Sequence, residues 1–577
     1  MRKTFFIFCP LFFGTMGVML VNNNNNDKAF VYSQQYRVAN SIGCGPGTDE
    51  DIYAGEGGKF INVLPGWGSH SYNITTQNDS AQVYFNQGLS MYYSYHGREA
   101  VASFKEAARF DSGSAMVYWG LALAMGPSYN FGYSYKWNKQ IPGVIAMMNR
   151  NAEHATPKEK DLIRAMGTRY NLADTTEKQR NELNNKYAAA MRPLIAKYPE
   201  DIDIMALYTD AVMLIHSWDF WYNDGTPKSW TPELVQLCKD ILEKDPHHPA
   251  ALHYYIHVTE ASRNPEVALA GADSLLKLFP GVAHMVHMSS HEYERFGLYE
   301  KGVLANEAAD RSAVLYDSLA KGLFTNGVHV PHYYAVDAYC ALSGAMYTIG
   351  LPKAIATRNI GKPTPEDMYS QSMYMFPQFA MVRMGKWKDI LVDNSSIDPK
   401  WSYAGILNDF AKGMAYTKTG DHAAAELHLK QLRNKKEDAI LRTPFAPYKS
   451  SPYECSVVAE NILAATILYD QKKYNEAITT IKKAILAEDS LLYAEPKIWM
   501  LPARQYLGAF LLKLNNPKQA EKVYREDLVW NPGNGWSLLG LYQSLEAQGK
   551  SKELKNIKVL YIRSFSKADQ LPSGSAY

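Results

Sequence analysis

His253 and His257 stand four residues apart, and His287 and His291 repeat that spacing 34 residues later. Positions i and i+4 of an α-helix share a face. A 34-residue period fits one helix–turn–helix unit, and stacking such units puts residues one period apart on neighbouring helices. The chain is thereby constrained to an array of helix pairs in which four imidazoles converge on one patch.

The period is not confined to the histidines. Tyr84 and Gly88 recur as Tyr118 and Ala122, again 34 residues on, with Ala100, Phe104 and Ala107 between them. Small residues let paired helices approach, and large ones fill the gap between units. This is the tetratricopeptide pattern. It returns over 250–280 (Ala268, Ala272, Pro280) and over 284–310 (Tyr293, Gly297, Tyr299, Gly302, Ala309). Three more copies follow: Gly413, Tyr416, Gly420 and Ala425; then Ala465, Tyr474, Ala477, Ile481 and Ala484; then Gly508, Ala520, Tyr524 and Pro532. A last helix starts near Trp536. Residues 130–245 and 310–400 are helical in pattern but off-register, with insertions at 130–142 and 362–367. No alternating run is flanked by hairpin turns. The expected fold is an all-α tetratricopeptide-repeat superhelix (α-solenoid) with irregular insertions. It divides into a signal peptide (1–21), an irregular lead-in (22–80), a repeat region with a histidine-rich groove (81–350) and a C-terminal repeat region (351–577).

Composition removes some function classes. Lys and Arg total 60 against 58 Asp and Glu, so no basic stripe for nucleic acid is expected. The five cysteines, Cys9, Cys44, Cys238, Cys340 and Cys455, form no C-x-x-C pair for zinc or redox work. Arg2 and Lys3 precede an apolar run from Phe5 to Val21, which reads as an export signal. The alternatives are an uncleaved anchor or a lipid anchor at Cys44. The expectation is export to the periplasm or cell surface, with no integral membrane domain once the signal is removed.

Several segments resemble exported bacterial tetratricopeptide-repeat proteins. They are Gly68-Ser69-His70 with Ile74-Thr75-Thr76, Ala81-Gln82 with Tyr84 to Leu89, His96 to Ala100, and Ala115 to Ala122. Ser217 to Trp221, His253 to His257 with Glu260-Ala261, and His284 to Tyr293 also match. The likeness covers about residues 65–340. It implies the fold and export, and no activity. The group's Pro-His-Asn-x-His element is broken here: Tyr333 follows Pro331-His332, and Ala335 stands where a second histidine is expected. That weakens a ligand role at His332.

Nine of the fifteen histidines fall between His247 and His332, and five of them line two adjacent helical stripes. One stripe is His253, His257 and Glu260; the next is His284, His287 and His291. By analogy with tetratricopeptide domains they face the concave groove. Neutral imidazole suits zinc, copper, nickel and iron. The candidate transition-metal ligands are therefore His253, His257, Glu260, His284, His287, His291 and His332, with zinc or copper the expected ion. His329 is a further candidate from the same segment. The competing reading is a polar groove that takes a protein or peptide partner. Met285 and Met288 belong to another face and a core role. His70 and His96 read as packing or capping, with a ligand role the alternative, His247-His248 as a solvated turn, and Trp218 to Tyr222 as a packed repeat junction or a groove wall. No phosphate loop, nucleophile elbow or zincin helix is present. Three functions compete: a partner-binding scaffold, a metal storage, delivery or sensing protein, and a metal-dependent enzyme with Glu260 as base.

Overall fold

The computed structural model describes residues 52–171, 173–319, 331–445 and 448–577. The apolar leader, Cys9, Cys44 and His329 lie outside the described residues. Among those described are 25 α-helices and no strand, only an isolated bridge between Trp221 and Pro227. None of these helices is long and apolar enough to cross a membrane. Cys238, Cys340 and Cys455 are buried free thiols.

Successive helices pack as antiparallel pairs, and the periodic small residues show why. A Cβ on Gly88 would lie 2.8 Å from the Phe104 ring, and one on Gly120 would lie 2.4 Å from it. Phe104 thus fills a slot cut by glycines on the two helices flanking its own. Gly508 and Gly540 hold Tyr524 in the same way, at 2.3 and 2.2 Å. In an open helix Gly→Ala gains roughly 0.5–1 kcal/mol. At Gly540 the methyl meets a fully buried ring, and overpacking of that kind costs about 1–3 kcal/mol. Gly540→Ala is therefore expected to lower the urea midpoint, and a raised midpoint would contradict the slot.

Three helices carry the histidines: α1 (Pro249–Thr259), α2 (Ala283–Arg295) and α3 (Pro331–Ser343). Each is the first helix of its pair, and they lie side by side, as the 34-residue period requires. Met285 and Met288 are fully buried in the main core, on the face expected. The insertions fall where the register breaks: a 3-10 turn at Tyr129–Ser134 with the coil after it, and the coil following the Tyr347–Ile360 helix.

The inner surface of the array is not an open groove. From one side, the lead-in lies across it as a strap. Gln87 accepts from the Leu64 amide at 2.7 Å, Tyr316 donates to Pro65 O at 2.9 Å, and Gly281 donates to Gly66 O at 3.1 Å. From the other side, the C-terminal repeats return onto the middle of the chain. Asn223 donates to Ser490 O at 2.9 Å, the Trp536 indole donates to Ser343 O at 2.9 Å, and Gly297 abuts Gly533 backbone to backbone. One hydrophobic core runs from Ile52 to Tyr316 and a second from Ala335 to Leu545.

Candidate metal centre

The structure brings all seven candidate residues together, and buries them. His253, His257, Glu260, His284, His287, His291 and His332 are each at most 3% exposed. The expectation of a histidine-lined open groove is corrected on this point. The surface that would have been concave is covered by the chain's own strap and C-terminal repeats.

The imidazoles fall into two trios whose candidate ligand atoms lie within 4.8 Å of one another: His253, His257 and His284, then His287, His291 and His332. Within the first, His253 Nε2 and His284 Nε2 are 3.0 Å apart. The outer nitrogens are held from behind. His253 Nδ1 donates to Tyr93 O at 2.6 Å, His257 Nδ1 meets Glu260 Oε1 at 3.0 Å, and His287 Nδ1 meets Asn306 Oδ1 at 2.6 Å. A proton on Nδ1 leaves Nε2 with its lone pair facing inward, the arrangement that orients metal-ligating histidines.

A purely structural network does not satisfy this cluster. His284 could donate to His253 across their 3.0 Å contact. Among the described residues, His257 Nε2, His284 Nδ1, His291 Nε2 and both ring nitrogens of His332 would still have no hydrogen-bond partner. Each such buried group costs about 1–3 kcal/mol. Burial, then the neighbouring imidazoles, hold His253, His284, His287 and His291 well below the ordinary histidine range. Burial takes His257 down to about 4 and His332 down to about 3. All six are thus neutral at physiological pH, the form that binds metal.

Two acids complete the site. Glu260 and Glu495 group with His257, and Glu495 Oε2 lies 3.4 Å from His291 Nε2. Burial raises Glu260 to about 8 against the lowering effect of a hydrogen bond with Glu495, and burial followed by the nearby Glu260 charge pushes Glu495 well above the usual carboxylate range. A bound cation reverses that ordering. Glu495 was not foreseen from sequence, and neither were Asn306 or Tyr95. Tyr95 has a left-handed backbone (φ 55°), and its ring is wedged 4.4 Å from that of His253. Its hydroxyl is buried without a partner.

A third group, His70, Asp203 and His248, is different in kind. His70 Nε2 and Tyr93 Oη both meet Asp203 Oδ1, at 2.9 and 2.8 Å, and His248 Nε2 is 3.5 Å away. His248 Nδ1 accepts from the Ala251 amide at the start of α1, so its proton sits on Nε2 and faces Asp203. Burial alone would raise Asp203, but His248 and His70 outweigh it and hold the carboxyl below the usual range. His70 and Tyr93 hydrogen-bond to Asp203, so they form a structural network with it, whereas His248 Nε2 makes no hydrogen bond among the described residues. The group also corrects the reading of His247-His248 as a solvated turn: His247 is exposed, whereas His248 is fully buried.

His96 caps α2, its Nε2 accepting the His284 amide at 3.3 Å. The Trp218–Tyr222 segment is a packed junction. Trp218 lies on Tyr129 at 4.7 Å and near Tyr448 at 5.8 Å, and Tyr129 in turn lies 4.8 Å from His257. A small cavity of about 110 Å³ is bordered by Arg263, Arg295, Tyr493, Lys497 and Trp530.

No protein-family model matches the chain, and neither does any curated protein sequence. Among solved structures, the human IFIT1 dimer with m7Gppp-AAAA is 12% identical, with 86% of this chain and 92% of that chain covered and a TM-score of 0.29. Yeast Tom70 is 12% identical, with coverage of 84% and 92% and a TM-score of 0.27. The TPR domain of P58(IPK) is 14% identical, with coverage of 59% and 89% and a TM-score of 0.18.

Proposed function

We propose that this chain is an exported metalloprotein. Its tetratricopeptide-type array encloses a resident transition-metal centre, zinc or copper, held by His253, His257, His284, His287, His291 and His332. Glu260 and Glu495 stand beside it as acidic partners. The observation that carries this reading is the set of five buried ring nitrogens without a hydrogen bond among the described residues, in a cluster where three further nitrogens are fixed from behind. An ion satisfies those lone pairs; a hydrogen-bond network made of the same residues does not.

Burial favours a resident cofactor over storage or delivery, since a carrier must expose its ligands to exchange. A three-histidine site leaves a coordination position for water or substrate, as catalytic zinc sites do. An adjacent carboxylate can serve as base to a bound water. The proposal therefore leans toward a metal-dependent enzyme. A protein or peptide partner on the outer faces is compatible with it, but a partner peptide touching these histidines is not, because the chain itself covers them.

The test is elemental analysis of untagged protein after dialysis against a chelator. Retained zinc or copper is the expected result. Adding the same ion to stripped protein should raise the melting midpoint, by about 2.7 kcal/mol of stabilisation at a hundredfold excess over Kd. No retained metal, with no shift on adding either zinc or copper, would overturn the proposal.

A further inference from the structure

The six histidines are not one crowded site but the same construction made twice. In the first copy, an i, i+4 pair on α1 (His253, His257) meets one histidine from the next first helix (His284 on α2). In the second, an i, i+4 pair on α2 (His287, His291) meets one histidine from the next (His332 on α3). The trios share no member. Six imidazoles exceed what one four-coordinate zinc or copper ion takes, while three match an open site. The trios are also adjacent: the rings of His284 and His287 are 6.1 Å apart.

Glu495 stands where the two meet. It groups with His257 of the first trio and lies 3.4 Å from His291 of the second. Building on the metal reading above, we infer that the centre is dinuclear, with one first-row transition-metal ion on His253, His257 and His284, a second on His287, His291 and His332, and the Glu495 carboxylate bridging them. Carboxylates take this role readily, offering one oxygen to each ion. Glu260 holds His257 Nδ1 at 3.0 Å and thereby orients a ligand of the first ion. The pairing gives the centre a chemical class: two metals side by side can bind a small oxygen ligand between them and hold both oxygens of a reacting group.

The experiment is metal titration of the stripped full-length chain with Cu(II) and, separately, Zn(II), on the wild type, His284→Ala, His332→Ala and Glu495→Gln. His332→Ala removes no hydrogen bond from the metal-free protein, since neither ring nitrogen has one. Circular dichroism and a melting curve confirm that each variant is folded. Expected are two ions per wild-type chain and one per chain in each histidine variant. Electron paramagnetic resonance of the copper-loaded wild type should show a signal well below two spins, because the bridged ions couple. Each histidine variant should give one full spin, and Glu495→Gln two uncoupled spins. One ion per wild-type chain, lost in both histidine variants, would overturn the dinuclear inference while leaving the metal proposal standing. No ion in any form would end both. Two ions whose coupling survives Glu495→Gln would overturn the bridge.

Discussion

Asp203→Ala is expected to destabilise the protein by about 3–5 kcal/mol, the range seen when one partner of a buried ionic cluster is removed. Two donors lose their acceptor at once, the hydroxyl of Tyr93 and the ring nitrogen of His70, and His248 Nε2 loses the carboxylate 3.5 Å from it. Tyr93 and His248 are fully buried, so water does not replace the carboxylate. Asp203→Asn keeps an acceptor and should recover part of the loss. The denaturant midpoint reads both. If the proposed centre holds metal, the folded fraction of either variant should keep it, since Asp203 hydrogen-bonds to Tyr93 and His70 and lies outside the two trios. A neutral Asp203→Ala that lost metal would instead make this group a third metal site. The sign of the pH dependence follows from the same contacts. The Asp203 carboxyl is depressed in the folded state. Its contribution is fully present above the unfolded value of about 3.9 and is lost as pH falls below it.

Gly297→Ala should open the seam between the middle of the chain and its C-terminal repeats. Gly297 has φ 71°, and a Cβ there would lie 2.0 Å from Gly533 O. Gly533, with φ 70°, would put its own Cβ 2.2 Å from Phe296 O. Both obstacles are backbone, so no side chain can swing aside. Left-handed strain of about 1–2 kcal/mol adds to overpacking of about 1–3 kcal/mol, and the cheapest relief is to undock. The expected result is faster protease cleavage and faster amide exchange in 283–300 and 528–536. Gly420→Ala is the control: its φ is 89° but nothing lies within 4 Å. It should show the strain alone and no change at the seam. Equal behaviour of the two variants would mean that the close approach does not hold the halves together.

The convergence of the histidines was legible because it is carried by the repeat itself: i, i+4 along a helix and one period between helices. The same pattern marked Gly88 with Phe104 and Gly508 with Tyr524, but not the second glycine of each slot, Gly120 and Gly540, which lie 32 residues on rather than 34. Burial of the site was not legible, because what covers it comes from the strap near Trp67 and from the segment around Glu495, neither of which follows the period. Glu495 sits in coil between helices, with no local pattern to mark it. Asn306 lies on a second helix, where the sequence argument looked only at first helices. His248 reads as a turn residue until the fold buries it 3.5 Å from Asp203, 45 positions earlier in the chain. The insertion after Asn130 was visible as a break, but not that Tyr129 at its edge would lie against His257.

The seam has a consequence in time. Helix pairs in a repeat array form from contacts close in sequence and need only their neighbours. The contact between His291 and Glu495 spans about two hundred residues and must come late, as long-range contacts do. During folding, therefore, the imidazoles face solvent on a nearly finished scaffold before the last repeats close over them. If the proposed centre takes an ion, that ion has its easiest entry in that interval, and afterwards its escape is tied to the reopening of the seam. Occupancy would then record the metal present where the chain folded, rather than the metal around it later.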